Sequence, residues 1–147
     1  MRRLIRSSLF AATLSILAGC GTPKLHPAHS ELEDATGNFH LFISDQSYAI
    51  SPVDIRVSID GRPVVEKSFD VGDQHNWQEF AFRLTPGQHK IVAISKRGDA
   101  KFEKTFEIDD KLWASLDYWY YPEPTGGASA CPRHFSLHVS KEPIMFQ

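Results

Sequence analysis

From Val53 to Ile59 apolar and polar residues alternate without a break, as Val-Asp-Ile-Arg-Val-Ser-Ile. A period of two puts Val53, Ile55, Val57 and Ile59 on one buried face of a β-strand. Asp60-Gly61 then supplies a two-residue hairpin turn, and Val64 to Phe69 reads as the return strand. Upstream, the apolar Phe39 to Ile43 is bounded by Ser44-Asp45-Gln46-Ser47 and reads as a strand closed by a turn. Downstream, Val71 to Asn76 is polar and reads as a loop. Trp77 to Leu84 predicts a strand with Phe80, Phe82 and Leu84 on one face. Thr85-Pro86-Gly87-Gln88 places Pro and Gly where a type II turn needs them. His89 to Ser95 is apolar through Ile91-Val92-Ala93-Ile94, and Gly98-Asp99 turns the chain again. From Lys101 to Asp109, Phe102, Phe106 and Ile108 face inward and Glu103, Thr105 and Glu107 outward. Leu112 to Tyr121 is the most aromatic strand, and Pro122 to Pro132 is the longest loop. Phe135, Leu137 and Val139 alternate with His134, Ser136 and His138 in a last strand. The apolar tail Pro143-Ile144-Met145-Phe146-Gln147 is expected to dock on the body.

About eight short strands with turn signals every eight to twelve residues, and no helical period after the first residues, predict an all-β, antiparallel β-sandwich over 39–147. The segments Ile-Asp-Gly-Arg-Pro-Val from Ile59 and Leu-Thr-Pro-Gly-Gln-His-Lys-Ile from Leu84 resemble small immunoglobulin-like or PEGA-like sandwich modules of bacterial envelopes. These motifs are turn chemistry, so the resemblance implies a fold and no function.

The N-terminus follows a different pattern. Arg2, Arg3 and Arg6 precede an apolar run from Leu9 to Ala18, the layout of an export signal. A membrane-spanning helix needs about 20 apolar residues, and this run is half that. The leader ends in Leu17-Ala18-Gly19-Cys20, which resembles the lipobox of bacterial lipoproteins. That resemblance implies cleavage of residues 1–19, with Cys20 as the first mature residue carrying lipid on its sulfur and its amine. Two or more acyl chains hold a protein stably on a bilayer. Gly21 stands where an Asp would resemble an inner-membrane retention signal, which implies the outer membrane, with the domain facing the periplasm. Residues 20–38, with Pro23 and Pro27 and no sustained period, read as a lipidated tether.

Charge narrows the partners. The leader removes three arginines, so the mature chain keeps 13 basic against 18 acidic residues. A net acidic domain without a basic stripe is a poor nucleic-acid binder. Only the acyl chains, and no attraction to anionic lipid, are expected to hold it at the membrane. With Cys20 lipidated, Cys131 has no partner within the chain, so the fold is expected to stand without a disulfide and Cys131 to be a small loop side chain.

The candidate binding residues lie on the aromatic strand. Leu112, Ala114, Leu116, Tyr118 and Tyr120 share the core face; Trp113, Ser115, Asp117, Trp119 and Tyr121 share the other. Indole and phenol faces beside a carboxyl group suit sugar rings, and they suit a protein partner equally, since Trp and Tyr dominate interface hot spots. The alternative is a second core layer, with Ile144, Phe146 or the long loop covering this face. Metal and catalytic chemistry find little support. His26 and His29 flank Pro27, which opposes a helix, and His134 and His138 are about 13 Å apart at strand rise. Asp70, Asp73, Asp109 and Asp110 read as solvated turn residues. The chain has no His-Glu-x-x-His, no nucleophile elbow and no glycine-rich phosphate loop. The expectation is therefore a lipid-anchored envelope protein, not an enzyme and without a cofactor. Its sandwich is expected to bind glycan through Trp113, Asp117, Trp119 and Tyr121. The alternative is a protein-binding accessory of an envelope assembly or secretion machine, similar in size, anchor and strand content to the small sandwich lipoprotein of type VI secretion.

Overall fold

The computed structural model describes residues 33–72, 76–124 and 129–146. The leader, Cys20 and the tether through residue 32 lie outside the described residues. Eight strands are formed among the described residues: β1 (Phe39–Asp45), β2 (Val53–Ile59), β3 (Arg62–Phe69), β4 (Gln78–Phe82), β5 (Gly87–Ser95), β6 (Ala100–Ile108), β7 (Leu112–Tyr121) and β8 (Cys131–Ser140). They build two four-stranded sheets, ordered β4-β1-β7-β8 and β3-β2-β5-β6. The predicted all-β sandwich is the observed architecture.

Local chemistry makes the hairpins. Asp60 and Gly61 both take positive φ, 51° and 77°, the backbone that a two-residue turn between twisted strands requires. β2 and β3 therefore pair directly, with a bulge beside Val57 that puts Val64 and Val65 both inside. The return strand buries two consecutive valines for that reason, which strict alternation does not allow. In β5 the apolar run divides by parity: Ile91 and Ala93 are buried and Ile94 is exposed.

The inward faces meet in one core. Phe39, Leu41 and Ile43 lie in register with Leu112, Ala114 and Leu116 and face Val53, Ile55, Val57 and Ile59 of the other sheet. Phe39 stacks on Phe106 at 4.8 Å between ring centres. Tyr118 is fully buried, and its hydroxyl donates to Gly98 O at 2.8 Å, tying β7 to the β5–β6 turn. A Cβ at Gly98 would lie 2.7 Å from that ring and 2.6 Å from Ser95 Oγ, so glycine is required there by close approach.

One pairing departs from the antiparallel expectation: β1 and β7 run parallel. Between β1 and β7 the chain builds β2 and β3 in the second sheet, β4 in the first, and β5 and β6 in the second again. Parallel neighbours need such a long excursion, and hydrophobic alternation carries no information on strand direction. A second departure concerns the tether. Glu33 bridges Phe82, Asp34 N bonds Ala81 O, and Arg83 grips the Asp34 carboxyl and Thr36. Bonds from the side chain and backbone of Thr36, then from Arg83, hold the Asp34 carboxyl down at about 2. Residues 33–38 are thus fastened to the sandwich, by polar contacts that leave no periodic mark in the sequence.

Candidate functional site

Register decides what shares the outer face of β4-β1-β7-β8. Trp113 sits beside His40 and Ser140, Ser115 beside Phe42 and His138, and Asp117 beside Ser44 and Ser136. Trp119 sits beside His134, and Tyr121 beside Cys131 after an irregularity in the ladder. The four predicted residues Trp113, Asp117, Trp119 and Tyr121 are therefore on one face, in a row along β7.

Their roles differ. Asp117 is only 9% exposed. Its Oδ1 accepts from Ser44 Oγ at 2.6 Å and from Trp77 Nε1 at 2.9 Å, and its Oδ2 accepts from Ser115 Oγ at 3.1 Å. Gln46 Nε2 donates to Ser44 Oγ and extends the network. The carboxyl group thus organises the face from within, and three protein donors already occupy it. Trp113 stacks on the His40 ring at 5.6 Å, and the Lys111 ammonium lies 5.3 Å from the indole centre. His40 Nδ1 in turn bonds Glu79 at 2.7 Å. Trp119 donates to Ser136 Oγ, and Tyr121 donates to Gln46 O. All three aromatics are partly buried; Trp119 and Tyr121 are held by their polar edges and Trp113 by its stack on His40, so the face is ordered and partly wet.

Two contributors, Trp77 and Phe42, lie outside the sequence expectation for this face, and a third, Phe146, enters it only under the alternative of a covered face. Trp77 reads as an ordinary strand start, yet its indole reaches Asp117 across the sheet. Phe42 is apolar but out of phase with Phe39, Leu41 and Ile43, and that mismatch was the available sign that the outer face is also covered. Phe146 stacks on Trp77 at 4.1 Å and meets Phe42 edge-on at 5.0 Å, so the C-terminal tail docks on this same face. The expected cover is real but local: it reaches Trp77 and Phe42, while Trp113, Trp119 and Tyr121 stay partly exposed.

The remaining chemistry is structural. His89 Nδ1 bonds Asp60 at 2.7 Å and Nε2 bonds Thr85 O at 2.8 Å, pinning the β2–β3 turn to β5. Burial presses the His89 pKa down, but the bonds to Thr85 O and Asp60 outweigh it and leave it raised. Cys131 is a free thiol, partly buried, 3.6 Å from His134 Nδ1. Among the described residues no three His, Cys, Asp or Glu side chains gather as a metal site, and no helix is long and apolar enough to cross a membrane. A shallow depression of about 360 Å³ lies beside Trp113, lined by Asp109, Asp110, Lys111, Leu112 and Lys141. Set against known proteins, the chain matches no protein-family model and no curated sequence.

Proposed function

We propose that this chain is a lipid-anchored envelope protein whose β-sandwich is a non-catalytic docking module for another envelope protein, bound through the outer face of β4-β1-β7-β8. The observation that carries this reading is the engagement of Asp117. A sugar site of the expected kind needs a free carboxyl group beside open aromatic faces. Here three donors use that group, while partly buried Trp113, Trp119 and Tyr121 share its face, the last two fixed by hydrogen bonds. Rigid aromatic surface with its polar edges satisfied is what protein interfaces use as anchors.

Trp119→Ala tests the face. It should leave the melting temperature nearly unchanged and remove a stoichiometric crosslink to one envelope protein in intact cells. Cooperative loss of fold in the variant would instead make Trp119 part of the core and end the docking reading.

A second reading keeps the glycan. The depression beside Trp113 combines an indole edge, carboxyl groups and ammonium groups, donors and acceptors that sugar hydroxyls can bond. It is favoured if Trp119→Ala keeps its protein crosslinks while retention on cell-wall resin depends on Trp113.

The anchor is tested separately. Mass spectrometry of the mature protein should find an N-terminal, acylated Cys20. An unacylated product cut elsewhere, or an intact leader in soluble extracts, overturns the membrane placement.

A further inference from the structure

The walls of the cleft that receives Phe146 are built without help from the tail. Trp77 is held by its bond to Asp117 Oδ1 at 2.9 Å, and Asp117 is held by Ser44 and Ser115. Phe42 stands on β1, a central strand paired on both sides. The slot is therefore pre-organised, and its two aromatic walls accept one flat ring stacked on the first and edge-on to the second.

The occupant is held far less firmly than the slot. The tail is rooted by Glu142 N on Ser140 Oγ and by Lys141 on Asp109. Beyond that root, among the described residues, Pro143, Ile144, Met145 and Phe146 make no hydrogen bond. Met145 is 84% exposed and Phe146 itself 37%. Only the Phe146 ring and a partly buried Ile144 offset the ordering of four residues, so the tail is far easier to release than the slot is to unfold.

Resting on the protein-docking reading above, we propose that the slot between Phe42 and Trp77 is a receptor for an aromatic side chain carried by an extended peptide segment of the partner. The chain's own C-terminal tail fills it in cis and is displaced on binding. The occupant seen in the slot states the partner's chemistry: a Phe or similar ring on a non-helical segment, as Phe146 is delivered past Pro143. Released, the tail exposes Trp77 and Phe42 at the level of Ser115 and Asp117, between Trp113 and Trp119 of the same face, so the slot and the wider surface form one interface.

The test uses the full chain in detergent, a variant ending at Glu142, and the synthetic heptapeptide of residues 141–147. Binding is read from the indole N–H signal of Trp77. The shortened variant should bind the peptide, and a peptide carrying Phe146→Ala should bind at least about tenfold more weakly. The full chain should bind the normal peptide several-fold more weakly than the shortened one, because its tail competes. Full-chain Phe146→Ala should recover the lost affinity.

Absence of peptide binding to a shortened variant that melts like the full chain overturns the proposal. Equal binding of the two peptides overturns it too, as does a tail-dependent dimer of the full chain, which would make a second copy the occupant. Failure here with the crosslink of the full chain intact removes the slot and leaves the docking reading standing. Loss of the crosslink with peptide binding intact does the reverse.

Discussion

Asp117→Ala should lower the unfolding free energy by about 3 kcal/mol, the sum expected for losing three hydrogen bonds and leaving buried hydroxyls without an acceptor. Ser44 is fully buried and Ser115 nearly so, so neither hydroxyl regains water when the carboxyl group is removed. Trp77 loses the bond that fixes its indole, and with it the wall on which Phe146 stacks. Asp117→Asn, which keeps an acceptor for Ser44 and Trp77, should lose less than half as much. Urea unfolding of the three proteins at one pH measures this directly. Equal, small losses for both variants would mean that the network contributes little and that the face is not organised around Asp117. The same variants separate stability from binding. Well below its melting temperature, a folded Asp117→Ala protein should still show a weakened partner crosslink.

Asp45→Asn should act in the opposite sense, raising stability at neutral pH by about 2 kcal/mol. Asp45 is 2% exposed, at the end of β1 and in register with Tyr118. Its Oδ1 accepts from Ser47 N at 2.9 Å, while its Oδ2 has no hydrogen-bond partner. Burial pushes the carboxyl up from 3.8 to about 6. The bond from Ser47 N, the nearby Ser51 hydroxyl and Arg97 oppose the rise, and the charge of Asp70 adds to it. The Ser51 hydroxyl is itself turned toward Asp70, at 3.4 Å.

The sign follows from which state holds the proton. Below about pH 3 the group is protonated in the folded and unfolded chain alike, and no penalty exists. Between about pH 4 and 6 the unfolded chain ionises first, so folding must retain a proton and stability falls as pH rises. Above about pH 7 the penalty is complete, about 3 kcal/mol for a shift of this size. Asn keeps the oxygen that Ser47 N needs and has no charge to bury. The difference between variant and parent should therefore be smallest at pH 4 and reach its full value by about pH 7. Urea unfolding of both proteins at pH 4, 5, 6, 7 and 8 gives that difference, with other titrating groups cancelling in the subtraction. A gain that is constant across the range would locate the effect in packing and not in proton linkage.

Much of the fold was legible because it is written locally. The unbroken alternation from Val53 to Ile59 and the Asp60-Gly61 turn specify a strand, its buried face and the hairpin that follows. Leu112 to Tyr121 divides by parity into two faces, although Ser115 and Asp117 on the outer face are buried as well and Tyr120 on the core face only partly so. Alternation failed where tertiary contacts intervened. Val64 and Val65 are both buried because of a bulge, and residues 33–38 join the body through Arg83 and Asn38 rather than through apolar contacts. The candidate face was half legible. Trp113, Asp117, Trp119 and Tyr121 share it as expected, and Phe146 covers part of it as the alternative foresaw, but Trp77 and Phe42 come from distant parts of the chain and could not be placed on it from spacing alone.

By itself the sequence determined the class of the chain, the approximate positions of its strands and turns, and the side most strands turn to the core, because period and turn chemistry act between near neighbours. Its first twenty residues also carry the whole case for the lipid anchor. Only the tertiary structure decided that β1 and β7 lie parallel, that Asp117 is an internal keystone, that Asp45 is buried without a full set of partners, and that the tail fills the slot beside Trp77. Those outcomes depend on which strands meet across the sheets. Strand choice is settled by the packing of the whole core, and no stretch of the chain contains that information alone.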